Sequence, residues 1–174
     1  RELDLVRFIS AEEGWAISGT QSETGSDTDT YSGLVRYSIL HTTDGGADWT
    51  VQYQAEEQAA TTKLDLLFLN DAEGFAQIGS LLFATHNGGE EWLPVSFGTE
   101  GFTLLNMCFI DPETGWAVGT GPADCVASVL HTVDGGLSWE LQFSTHEMAT
   151  DVILSIGIGF FDDQAGWFTV IDTN

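Results

Sequence analysis

A Phe-x5-Gly-aromatic element recurs four times, a Thr-x-Asp/Asn-Gly-Gly-x-x-Trp element trails its first three copies, and no segment sustains a helical period. Together these predict an all-β fold, a β-propeller of four-stranded antiparallel blades. The first element runs from Phe8 to Trp15, Phe68 to Phe75, Phe109 to Trp116 and Phe160 to Trp167. The second occupies 42–49, 85–92 and 132–139. Successive Asp/Asn positions, Asp44, Asn87 and Asp134, lie 43 and 47 residues apart, which is the length of a propeller blade. About three and a half blades are expected: blade 1 over 1–58, blade 2 over 59–98, blade 3 over 99–146 and the start of a fourth over 147–174.

Each repeat reads as four strands. Strand A ends at the Phe. In the first copy, from Leu3 to Ile9, apolar residues are nearly continuous, which predicts a strand buried on both faces. An acidic turn follows, and strand B opens at the Gly-aromatic pair. Strand C runs into the Thr, over Tyr37–Thr42, Leu81–Thr85 and Ser128–Thr132, and strand D starts at the Trp. The fourth copy supplies strand A from Ile153 to Phe161 and strand B from Gly166 to Ile171, with no strand C after them. The sequence is therefore read as part of a larger propeller, with about three or four further blades.

The second element has a physical reason. Asp-Gly-Gly between two strands signals a hairpin, because glycine takes positive φ without a steric penalty. The Asp or Asn side chain is placed to accept backbone N–H groups of the turn, the Thr hydroxyl to join it, and the Trp ring to fold back over it.

The residues Thr42, Asp44, Gly46 and Trp49, then Thr85, Asn87, Gly89 and Trp92, then Thr132, Asp134, Gly136 and Trp139 resemble the Asp-box, or bacterial neuraminidase repeat, with its Ser/Thr-x-Asp-x-Gly-x-x-Trp pattern. With the Phe-x5-Gly-aromatic element, they look most like the photosystem II assembly-factor-like propellers, a group found in bacteria as exported or lipid-anchored proteins. The resemblance implies a sialidase-like propeller with these twelve positions at blade peripheries, as structural residues. It does not extend to sialidase chemistry, which uses three arginines on a carboxylate, a Tyr/Glu pair and an Asp. The arginines here are Arg1, Arg7 and Arg36, all in or before the first blade, and there is no Phe/Tyr-Arg-Ile-Pro stretch. The basic patch of the plant and cyanobacterial assembly factors is also missing.

Charge narrows the function classes. Twenty-seven acidic residues against four basic ones give a net charge of −23. That excludes nucleic acid, whose phosphates need Lys and Arg, and argues against anionic membrane surfaces. It favours cationic partners, divalent ions, or an extracellular or salty medium. No apolar run reaches 18 residues, so no transmembrane helix is expected, and no signal segment is visible. Cys108 and Cys125 leave the redox compartment open. Pairing would mark an exported protein, although the repeat puts the two on strands that are not expected to be neighbours; unpaired, Cys108 is a small core residue.

Asp111, Glu113, Asp162 and Asp163 have the residue type for paired-carboxylate glycoside hydrolysis, as in xyloglucan-cleaving propellers. They fall in the A–B turns, which also hold Glu12, Glu13, Asp71 and Glu73, and repetition in every blade points to turn chemistry. No catalytic residue is assigned. His41 and His131 share one repeat position on different blades, His86 sits inside the second element and His146 lies in an irregular stretch, so no metal site and no cofactor are expected. The insertion from Thr20 to Leu34 carries Asp27 and Asp29 but no terminal Glu, which allows weak surface calcium at most. A shorter insertion, Gly121 to Cys125, occupies the same connection in blade 3.

The reading is a non-catalytic binding or assembly scaffold, exported to the extracellular, periplasmic or cell-surface space, with a protein or carbohydrate partner besides the remaining blades. The alternative is a carbohydrate-active enzyme, sialidase-like or xyloglucanase-like, with its catalytic residues in other blades. An adhesion module is a third class, differing from the scaffold only in its partner.

Overall fold

The computed structural model describes residues 3–21, 34–58, 63–121, 127–145, 155–163 and 165–171. Among them all regular structure is antiparallel strand. The first sheet contains β1 (Leu5–Phe8), β2 (Gly14–Gln21), β3 (Leu34–Thr42) and β4 (Thr50–Gln58), and the second β5 (Leu64–Phe68), β6 (Gly74–Ile78), β7 (Leu81–Thr85) and β8 (Leu93–Pro94). The third contains β9 (Thr103–Phe109), β10 (Gly115–Thr120), β11 (Ala127–Thr132) and β12 (Glu140–Thr145), and the fourth pairs β13 (Ser155–Phe160) with β14 (Gly166–Ile171). Each four-stranded sheet is a meander in chain order, the arrangement of a propeller blade. The fold is a partial β-propeller. The chain divides into two compact units, Arg1–Pro94 with the first two sheets and Val95–Asn174 with the third and fourth.

The six-residue spacing from Phe to Gly is explained by strand register. Phe8 pairs with Gly14, Phe68 with Gly74, Phe109 with Gly115 and Phe160 with Gly166, each at the first step of the A–B hairpin. The Phe ring lies flat over the glycine opposite. A Cβ at Gly14 would come within 2.7 Å of Phe8, and one at Gly74 within 2.5 Å of Phe68, so only glycine fits under the ring.

Burial corrects one expectation. Strand A is not buried on both faces: along β1 the chain passes from half-buried to exposed, and only Leu66 of β5 is buried. Full burial moves to strands B and C, with every residue of β6 and residues 115–119 of β10 inside. The cause is topological. Strands A and D are the edges of each four-stranded sheet, whereas B and C have a strand on either side. The apolar residues of strand A instead serve packing between sheets, as β5 lies against β1 and β2, and β13 against β9 and β10. The first unit encloses Trp15, Ile17, Ile39, Leu66, Ile78, Phe83 and Trp92, and the second Trp116, Val118, Ala127 and Val129.

Strand D starts at Thr50, Leu93 and Glu140, one residue later than the Trp read from the sequence. The β3–β4 pairing skips Gln52, stepping from Ile39↔Tyr53 to Leu40↔Val51. The β11–β12 pairing skips Gln142 in the same way, from Val129↔Phe143 to Leu130↔Leu141. These two bulges sit at equivalent repeat positions, three residues after the Trp. The second blade lacks one, because Pro94 ends β8 after two residues.

Candidate functional site

In a meander the A–B and C–D turns come out at the same end of the sheet, and here they are joined. Gly45 N–H donates to the Glu12 carbonyl at 2.8 Å, Gly88 to Ala72 at 2.9 Å and Gly135 to Glu113 at 2.8 Å. This two-turn end carries most of the polar residues singled out in the sequence, and it is the candidate site.

The C–D turns follow one plan. Thr42 Oγ1 donates to Asp44 Oδ1 at 2.7 Å and accepts from Gly46 N–H at 3.0 Å, while Asp44 accepts from Asp48 N–H at 3.0 Å. Thr85, Asn87, Gly89 and Glu91 repeat these contacts at 3.0, 2.7 and 3.0 Å, as do Thr132, Asp134, Gly136 and Ser138 at 2.8, 2.9 and 2.9 Å. Both glycines of each turn hold positive φ, for example 74° and 88° at Gly45 and Gly46. The three threonines are buried, so their hydroxyls replace water for the glycine N–H groups. Trp139 Nε1 donates back to the Gly136 carbonyl at 3.1 Å, and the Trp49 ring packs on Gly46. Trp92 differs: its Nε1 turns to Gln52 Oε1 of the preceding sheet at 3.3 Å.

Hydrogen bonds from Asp48 N–H and the Thr42 hydroxyl hold the Asp44 carboxyl below its ordinary value of 3.8. The Ser138 hydroxyl and N–H do the same for Asp134, and the N–H groups of Glu113 and Thr114 for Asp111. A depressed folded-state pKa contributes stability above the unfolded value and loses it as pH falls through the folded one. The turns of the first and third sheets should thus weaken below about pH 3.8, while that of the second, built on Asn87, should not. Replacing Asp44, Asp111 and Asp134 together by Asn is expected to flatten the acid limb of the unfolding curve; thermal unfolding between about pH 2 and 5 checks it.

The A–B turns place the proposed carboxylates. The residue two after the Phe closes each turn: Ser10 Oγ accepts from Glu13 N–H at 2.9 Å, and Asn70 Oδ1 from Glu73 N–H at 2.8 Å. Likewise Asp111 Oδ1 accepts from Thr114 N–H at 2.7 Å, and Asp162 Oδ1 from Ala165 N–H at 2.7 Å. Asp111 and Asp162 are thus the same turn residue in different sheets. Glu113 contributes its backbone carbonyl to the turn–turn bond, and Asp163 is exposed.

His41, His86 and His131 fill fold positions. His41 lies on the Trp15 ring at 4.5 Å and meets Glu13 Oε1 at 3.2 Å; His131 lies on Trp116 at 4.8 Å. His86 Nδ1 meets Glu73 Oε2 at 2.5 Å. On its other side Trp15 stacks on Phe68 of the next sheet at 3.8 Å, as Trp116 does on Phe160 at 3.6 Å. In the three four-stranded sheets the A-strand Phe also meets the C–D Trp edge-on, Phe8 with Trp49, Phe68 with Trp92 and Phe109 with Trp139. Among the described residues no three His, Cys, Asp or Glu side chains gather as a metal site, and no helix is long and apolar enough to cross a membrane. Asp27, Asp29, His146 and Cys125 lie outside the described residues; Cys108 is half-buried on β9.

Sequence reading missed the two bulged glutamines. Gln52 Oε1 accepts from both Trp15 Nε1 at 3.1 Å and Trp92 Nε1 at 3.3 Å, and Gln142 Oε1 accepts from Trp116 Nε1 at 2.9 Å. The Trp-x-x-Gln spacing, present in the first and third repeats only, was the signal available.

No family model matches the chain, and no curated protein matches it. Solved structures do, two of YCF48 among them. YCF48 bound to a D1 peptide superimposes with a TM-score of 0.51 at 16% identity, over 84% of this chain and 43% of that one. YCF48 from Cyanidioschyzon merolae gives 0.49 at 18% identity, over 90% of this chain and 48% of that one. The chain thus spans less than half the length of either. In fold it is a propeller resembling that photosystem II assembly factor.

Proposed function

We propose that the chain is a non-catalytic scaffold that binds a basic segment of another protein outside the cytoplasm. One observation carries this reading: the repeated acids, amides and hydroxyls are engaged in turn contacts that recur from sheet to sheet. Residues committed to holding hairpins are poorly placed to work as an acid–base pair. The surface charge supports the choice of partner. No Lys or Arg follows Lys63, so the sequence of the second unit carries no ammonium or guanidinium to oppose a cationic partner. Fold similarity to a propeller whose structure holds a D1 peptide supports a protein partner. The acidic surface and the resemblance to exported propellers support a location outside the cytoplasm.

Three measurements test it. A labelled Lys/Arg-rich peptide should bind in fluorescence anisotropy, with affinity falling as salt rises, and an acidic peptide of equal length should not. Incubation with xyloglucan or sialyllactose should release no sugar; measurable release would overturn the reading. Calcium should bind only weakly, with a dissociation constant of about 10⁻⁴–10⁻³ M or higher by calorimetry, and a sub-micromolar value would contradict this.

A further inference from the structure

One hairpin departs from the repeat in what it shows to solvent. In the third sheet the C–D hairpin carries Val133, Leu137 and Leu141, exposed by 66%, 74% and 55%. The same three positions hold Thr43, Ala47 and Val51 in the first sheet and His86, Glu90 and Pro94 in the second. All nine residues are exposed, so the repeat itself turns these positions outward. Their openness does not depend on a neighbouring sheet. Thr43, Ala47 and Val51 stay exposed although β5 of the second sheet packs on β1 and β2, and His86 and Glu90 stay exposed with the first sheet on the other side. Nor does the turn need aliphatic side chains there. Thr132, Asp134, Gly136 and Ser138 make the same three hydrogen bonds that hold the first turn around Thr43 and Ala47. A single exposed aliphatic residue is ordinary. Three on one hairpin, where the two counterparts together expose one large apolar residue, Val51, make a patch.

Charge decides what can cover the patch. Asp134 and Glu140 lie on the same hairpin, and the Gly135 N–H ties it to the A–B turn that carries Asp111 and Glu113. Asp111, Glu113 and Glu140 are exposed. The sequence of this unit contains no Lys or Arg, so nothing of opposite fixed charge competes for these carboxylates. An apolar patch in such a frame repels a second copy of the chain, with its net charge of −23, and an anionic membrane. It matches a segment in which Lys or Arg alternates with aliphatic residues. The geometry points to the C–D hairpin of the third sheet as the docking site for an amphipathic basic segment of another protein. Val133, Leu137 and Leu141 take its aliphatic side chains, and Asp111, Glu113 and Glu140 face its cations. This site, which rests on the reading of a basic protein partner, adds an apolar contact that charge attraction alone does not require. Hydrogen bonds within the turn fix the hairpin before anything binds, so docking demands little further ordering of its backbone.

Two labelled peptides of equal length and charge, one alternating Lys with Leu and the other Lys with Gly, test this by fluorescence anisotropy on the full chain. Both should bind at low salt. At about 0.5 M salt, where charge attraction is screened, the Lys/Leu peptide should stay bound about tenfold or more tightly than the Lys/Gly peptide. Val133→Thr combined with Leu137→Ala gives the third turn the residues of the first, so thermal unfolding should match the parent. This double variant should bind the Lys/Leu peptide about tenfold more weakly and the Lys/Gly peptide as before. A Lys/Leu peptide held no more tightly than Lys/Gly, or held equally by the double variant, overturns the inference and leaves the basic partner standing. Binding of neither peptide at low salt overturns both. Self-association, or binding to phosphatidylcholine vesicles, that disappears in the double variant would give the patch another occupant and would also overturn the inference.

Discussion

Phe68→Ala is expected to destabilise the first unit by about 3–5 kcal/mol, the range for removing a large aromatic side chain from a packed site. Three contacts leave with the ring: the stack on Trp15, the edge contact with Trp92 and the cover over Gly74. Losing the cover also exposes backbone at the start of β6, a strand that is otherwise wholly buried. The opposite change should fail as well. Gly74→Ala pushes a methyl against the Phe68 ring and should cost about 1–3 kcal/mol through overpacking. Chemical denaturation of both variants checks the pair; a Gly74→Ala protein as stable as the parent would show that the ring moves aside freely.

Gln52→Ala should cost about 2–4 kcal/mol, because one carbonyl oxygen serves two indole N–H groups. Trp15 and Trp92 are both buried, so water cannot replace the lost acceptor without opening the core. Gln142→Ala removes an acceptor from Trp116 alone and should cost about half as much, 1–2 kcal/mol. The contrast between two residues at one repeat position is the test. Equal losses would mean that Trp92 finds another partner.

How much was legible follows from what each residue does. The Asp-Gly-Gly turns and the Phe-Gly spacing could be read because turn chemistry and register act over a few residues, and repetition separates them from chance. Asp111 and Asp162 were assigned to turns on the same ground, and the structure places both there. The burial of strand A was misread: β1 and β5 are apolar because they face a neighbouring sheet, and a continuous apolar run does not tell that from burial on two faces. Gln52 and Gln142 escaped for a related reason. A polar residue in a strand reads as facing water, and only a bulge re-aims it inward. The repeat puts His41 and His131 at one position, but their stacking on Trp15 and Trp116 depends on cross-strand register.

The repeated polar residues hold the fold, and amide hydrogen exchange tests this most directly. Gly46, Gly89 and Gly136 donate to buried threonine hydroxyls, and Asp48, Glu91 and Ser138 to the Asp or Asn side chains. These six amides should exchange far more slowly than exposed turn amides, and the glycines should lose protection when the Thr of the same turn becomes Val. Free exchange at all six positions in the parent protein would contradict the account and return these side chains to the pool of candidates for binding or chemistry.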